Sequence, residues 1–158
     1  MANTFTQMYV QVIFAVKGRE NLISEIHREE IEKYSCGIIN NNKSKPIAIY
    51  YNPDHVHILI GMNPSLSFLD LVRDIKADSS RWINQKRRIN GQFRWQEGYG
   101  AFTYSKSHVD KVVKYIWRQS EHHKKLSFKQ EYLELLKRYD IEFEENIFLS
   151  AMNKINNG

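Results

Sequence analysis

The sequence predicts an α+β fold of the ferredoxin-like kind, an antiparallel sheet with helices packed mainly on one face. Three observations lead there. Strand-like and helix-like segments follow one another in the order strand, helix, hairpin, helix, strand, helix. Apolar residues alternate in the first kind and recur every three to four positions in the second. Short polar breaks, such as Asn40-Asn41-Asn42 and Asn52-Pro53-Asp54, separate them.

Each element has its own warrant. Phe5 to Val16 reads as a central strand, because Met8, Val10, Val12 and Phe14 face one side while Tyr9 and Ile13 face the other. Ile23 to about Asn42 reads as a helix, with Ile31, Tyr34 and Ile38 on one stripe. Pro46 to Tyr51 and His55 to Met62 flank the Asn-Pro-Asp turn and form a hairpin. Ser67 with Asp70 three residues later has the form of a capping box, opening a helix whose buried stripe is Phe68, Val72, Ile75, Ser79 and Trp82. Phe93 to Tyr104, interrupted by Gly98 and Gly100, suits a bent strand or an ordered loop. Ser107 with Asp110 marks a second capping box, and Phe128 to Tyr139 a short last helix. The last dozen residues are polar and expected to fray.

Composition bounds the function. The 158 residues suit one domain, placed at 1–148 with a polar tail at 149–158. No apolar run approaches a membrane span, and the first residues lack the features of a signal peptide, so no membrane role and a cytoplasmic location are expected. The lone Cys36 suits a reducing compartment and reads as a buried hydrophobe. A net charge of +5 leans toward a polyanionic partner, most visibly in Lys86-Arg87-Arg88 and in the basic residues around Tyr115. A solvated helix face gives the same pattern.

Two motifs carry chemistry. In a strand, residues i and i+2 share a face, so His55 and His57 can meet one metal ion. On a helix, residues i and i+4 stack, so Tyr115 and Gln119 can approach that ion together, with His122 or His123 on the same stripe. A metal beside a tyrosine is an arrangement for cutting phosphodiesters. Each piece alone has a plainer reading: a structural histidine pair, or a packed tyrosine bonded to an amide. Asp54 is either an acceptor that orients a metal-binding imidazole or a turn residue after Pro53. Two imidazoles by themselves suggest zinc or another transition metal.

From Val12 to Phe148 the chain resembles the single-tyrosine HUH transposases of small bacterial insertion sequences and their REP-associated relatives. The resemblance lies in Phe14-Ala15-Val16-Lys17-Gly18-Arg19-Glu20, in Asn52-Pro53-Asp54-His55-Val56-His57 and in Ser79-Ser80-Arg81-Trp82-Ile83-Asn84. It continues through Trp95 to Phe102 and is most specific in Tyr115-Ile116-Trp117-Arg118-Gln119-Ser120-Glu121-His122-His123, followed by Ser127-Phe128 and Glu131. One departure is Arg118, where the family often has asparagine.

The resemblance implies His55, His57 and Gln119 as ligands of one magnesium or manganese ion and Tyr115 as the nucleophile. It implies a 5′-phosphotyrosine intermediate without a nucleotide cofactor, single-stranded DNA with a hairpin as substrate, and a homodimer whose active sites can be shared between subunits. Candidate DNA contacts are Lys17, Arg19, Arg81, Lys86, Arg87 and Arg88, with Lys111, Lys114 and Arg118 nearest the nucleophile. Trp82 and Trp95 are expected to be core or framework. The competing reading is a domesticated, non-cleaving regulator that binds hairpins. A plasmid nickase and an RNA-binding module with an incidental histidine pair are further alternatives.

Overall fold

Four strands form one antiparallel sheet in the order β2-β3-β1-β4: β1 Tyr9–Ala15, β2 Lys45–Tyr51, β3 His55–Gly61 and β4 Gly100–Tyr104. The computed structural model describes residues 5–124 and 126–139, without the side chain of His122. The boundary proposed at 148, the polar tail, the end of the resemblance at Phe148 and Lys125 lie outside the described residues. Among the described residues five α-helices accompany the sheet: α1 Glu25–Asn41, α2 Phe68–Gln85, α3 Val109–Trp117, α4 Gln119–His122 and α5 Phe128–Arg138. No helix among the described residues is long and apolar enough to cross a membrane.

The alternation of β1 and β3 decides what lies on each side of the sheet. Val10, Val12 and Phe14, with Val56, Ile58 and Ile60, form the larger core with Ile31, Ile38 and Ile39 of α1 and Leu71, Val72, Ile75 and Ile83 of α2. The residues between them point the other way. There Ile13 and Ala15 meet Phe128, Leu135 and Leu136 of α5, while Ala48 and Leu59 meet Val109, Val112 and Ile116 of α3. The expected α+β sandwich is present, with the two longest helices sharing one face. The shorter α3 and α5 add a layer on the opposite face, because β1 and β3 are apolar on both sides.

Several local expectations change. β1 begins at Tyr9, not Phe5. Of Phe93 to Tyr104 only the last five residues form a strand, and Trp95 is tied separately by a bridge to Val16. Trp95 is core, as expected, and its indole N–H donates to Ser79 Oγ at 2.9 Å; Trp82 is half-buried and stacks on Tyr34. The buried stripe of α2 runs through Leu71 and Ile83, leaving Phe68 and Trp82 at its edge. Ser67 accepts the Asp70 N–H at 3.3 Å, which makes half of the first box. The second box does not form: Ser107 Oγ pairs with Ser105 and His108, and α3 starts at Val109 after a 3-10 turn. Cys36 is half-buried, and burial pushes its thiol pKa up.

Candidate active site

β3 supplies the first part of the site. His55 and His57 leave the strand on the α3/α5 face, and both are fully buried. The turn before them is pinned by backbone bonds from Asn52 N–H to the His55 carbonyl at 2.8 Å and from Val16 N–H to the Asp54 carbonyl at 2.8 Å. That turn places Asp54 so that His55 Nδ1 donates to Asp54 Oδ1 at 2.6 Å. Asp54 therefore meets both sequence readings at once, as a turn residue and as the acceptor beside an imidazole. Asn52 Nδ2 lies 3.1 Å from His55 Nε2 and donates to Gln119 Oε1 at 3.0 Å. On the neighbouring strand Gln11 Nε2 contacts His57 Nδ1 at 2.9 Å, and Tyr104 holds Gln11 by donating to its Oε1 at 2.7 Å.

The rest comes from the C-terminal helices. Tyr115 and Gln119 do not share one unbroken helix, because α3 ends at Trp117 and Arg118 takes a turn conformation. The two side chains nonetheless meet at one carboxylate. Tyr115 OH and Gln119 Nε2 both donate to Glu131 Oε2, the latter at 3.1 Å. The other oxygen of Glu131 faces three imidazoles, with Nε2 of His57, His123 and His55 at 2.9, 3.3 and 3.4 Å. His123 Nδ1 donates to the Leu126 carbonyl at 2.9 Å, which points its Nε2 inward.

Glu131 is where it is because of how α5 begins. Ser127 and Gln130 form a reciprocal capping box, so the helix starts at Phe128 and its first turn carries Glu131. Phe128, Glu131 and Leu135 occupy one stripe and are buried together. The Phe128 ring stacks on His55 with centroids 4.1 Å apart.

Electrostatics follow from burial and these partners. Burial alone would raise the Glu131 carboxyl, but hydrogen bonds from His123, His55 and His57 outweigh it and hold the group far below the usual carboxylate range. Burial would lower His55, yet the bonds to Asp54 and Glu131 raise it. His57 is lowered, chiefly by burial. Burial and then the negative charge of Glu131 push the Tyr115 phenol well above its ordinary value, so the resting tyrosine keeps its proton.

One ring nitrogen from each of His55, His57 and His123 and a Glu131 oxygen all lie within 4.8 Å of one another, close enough for one ion to meet all four. The donor set fits a divalent ion: imidazoles suit transition metals, and the carboxylate brings the charge and hard oxygen that manganese or magnesium favours. Gln119 borders this cluster, with Oε1 3.0 Å from His123 Nε2. The structure brings together His55, His57, Tyr115 and Gln119, the four residues expected from the sequence, with His123 of the 122–123 pair beside them. Glu131, Gln11 and Asn52 are not among the site residues expected from the sequence. The signal for Glu131 is an acidic residue in the apolar stripe of α5; Gln11, a buried amide in an apolar strand, is a weaker one.

The basic candidates separate. Arg19 reaches the site margin, 3.8 Å from Asp54 Oδ2 and 4.9 Å from the centre of the Phe128 ring, and Lys17 is exposed on the same 3-10 turn. Lys111, Lys114 and Arg118 are exposed around Tyr115. Arg81 and Lys86 to Arg88 belong to α2 and its end, in the layer across the sheet from the histidines. There Arg81 pairs with Asp78 at 3.2 Å and Arg88 with Glu30 at 2.6 Å.

The four-stranded antiparallel sheet with its packed helices has the fold of the tyrosine transposases. The IS200-like transposase family model matches residues 4–119, and the chain belongs to that family. Over 123 residues the chain is 26% identical to the ISDra2 transposase TnpA of Deinococcus radiodurans, covering 75% of this chain and 86% of that one. A crystal structure from Deinococcus radiodurans assigned to the transposases superposes with a TM-score of 0.58 at 22% identity, over 75% of this chain and 95% of that one. A REP-associated tyrosine transposase bound to a REP hairpin gives 0.56 at 12% identity, over 78% and 73%. The family match ends at Gln119, so His123 and Glu131 lie beyond it.

Proposed function

We propose that this transposase is a metal-dependent endonuclease and strand transferase acting on single-stranded DNA at hairpin-marked ends. One observation carries the reading: a single buried carboxylate, Glu131, joins a three-histidine cluster to the hydroxyl of Tyr115. His55, His57, His123 and Glu131 would hold one manganese or magnesium ion, with Gln119 at its edge. Such an ion neutralises a phosphodiester oxygen and stabilises the departing oxygen.

The chain's own groups supply the remainder. The Tyr115 oxygen attacks phosphorus and loses its proton; the bond to O3′ breaks, and O3′ leaves with its electron pair and takes up a proton. The product is a 5′-phosphotyrosine and a free 3′-OH. The phosphotyrosine keeps the energy of the original bond, so strand joining is the same step reversed and needs no nucleotide cofactor. Asp54, Gln11 and the Leu126 carbonyl set the ring orientations of the three histidines. Lys111, Lys114 and Arg118 hold the strand near Tyr115, with Lys17 and Arg19 at the other margin. The likeness to a hairpin-bound relative supports a hairpin as the recognised feature, and the resemblance to the family supports a homodimer.

The test pairs metal binding with cleavage. His57→Ala should lose manganese binding by calorimetry and lose cleavage of hairpin-bearing single strands, while its circular dichroism stays that of the wild type. Undiminished cleavage in that variant sinks the assigned site.

A further inference from the structure

A cavity of about 540 Å³ opens directly beside the nucleophile, between β4, α3 and α5. Its volume is that of a small-molecule site. Tyr104 and Tyr139 contribute aromatic rings with centroids 5.8 Å apart, set nearly perpendicular. His108, Lys111 and Arg138 contribute basic groups, and no carboxylate is found among the described lining residues. His108, Lys111 and Tyr115 are spaced i, i+3 and i+7 along α3 and its N-cap, so the basic groups lead along one helix face to the reacting hydroxyl. Aromatic walls with basic, acid-free margins select a flat, anionic ligand. The chemistry that joins those two properties is a nucleotide.

We propose that this cavity takes one unpaired nucleotide of the strand being cut, its base against Tyr104 and Tyr139 and its flanking phosphates along Lys111 and Arg138. The proposal rests on the strand-cleaving function above. It adds a base-holding site next to the scissile phosphate, so a nucleotide beside the cleavage point is unstacked when Tyr115 attacks. Lys114 and Arg118 do not line the cavity and are left for contacts outside it.

The probe is a fluorescent DNA hairpin with an oligothymidine flank, compared with the same hairpin carrying an abasic flank. Both are titrated against the full chain by anisotropy. Wild type should prefer the thymidine flank by roughly 5- to 150-fold, the range of one base stacked on aromatic side chains. Tyr139→Ala should erase that preference and leave abasic binding unchanged, a pattern that misfolding does not produce. Lys111→Glu, at an exposed helix position, should weaken both. With 4-thiothymidine in the flank, photo-crosslinks should map to residues 104–111 or 138–139. Equal binding of both flanks, or crosslinks confined to other residues while Tyr115 still captures DNA, overturns the pocket and spares the cleavage reading. Absence of binding to either hairpin overturns the cleavage reading, and the pocket with it.

Discussion

His55 and His123 each spend Nδ1 on an acceptor, Asp54 or a backbone carbonyl, and so turn Nε2 toward the centre of the site. That is the tautomer a metal-ligating imidazole needs, and it is set by neighbours rather than by the histidines themselves. The Asp54 carboxylate lies below its ordinary pKa, since burial, which raises it, is outweighed by the bond from His55 and the charges of His55 and Arg19. Its stabilising contribution is therefore full above the unfolded carboxylate value, about 4, and is lost as pH falls through the lower folded value. In metal-free protein, Asp54→Asn should cost about 1–2 kcal/mol at neutral pH. The gap to wild type in urea unfolding should narrow as pH drops below about 4; a gap that widens there would contradict the ionised pair. At this scale the sequence was legible where spacing alone makes the geometry, as in His55-Val56-His57. It was not legible for Glu131, which reaches the histidines only through tertiary packing.

α5 acts as the carrier of Glu131, and its seat on the sheet depends on a close approach. A Cβ added at Gly100 would stand 2.7 Å from the ring of Tyr132, one residue beyond Glu131. The glycine thus lets α5 lie directly over β4. Gly100→Ala should push Tyr132 outward, destabilise the chain by about 1–3 kcal/mol and loosen manganese binding without touching a ligand. Thermal unfolding and calorimetry of the variant check both, and unchanged metal affinity would detach α5 from the site. The elements themselves were mostly readable from periodicity and turn residues. What periodicity could not supply was the break after Trp117, where Arg118 bonds back to Lys114 and Tyr115 and the helix does not continue. The layer formed by α3 and α5 was likewise hidden, because an apolar face on a strand does not say which helix will cover it.

In the whole molecule, one chain brings the tyrosine, the histidines and the carboxylate together, 74 residues apart in the case of His57 and Glu131. Sharing of active sites between subunits is thus not required to complete the constellation. Mixing Tyr115→Phe with His57→Ala protein should restore no cleavage; recovered activity would show that subunits exchange their tyrosine helices. The sheet also divides the basic groups, with Lys111 and Arg19 on the site's side and Lys86 to Arg88 behind it. A strand contacting both would have to pass around an edge of the sheet. In the proposed reaction Tyr115 becomes joined to a 5′ phosphate with the help of a divalent ion. Incubating the protein and manganese with 3′-end-labelled single-stranded hairpins, followed by denaturing electrophoresis, tests it most directly. Wild type should give labelled protein, and Tyr115→Phe or added chelator none. Labelled Tyr115→Phe, or hairpins cut by wild type without any adduct, would contradict that reaction.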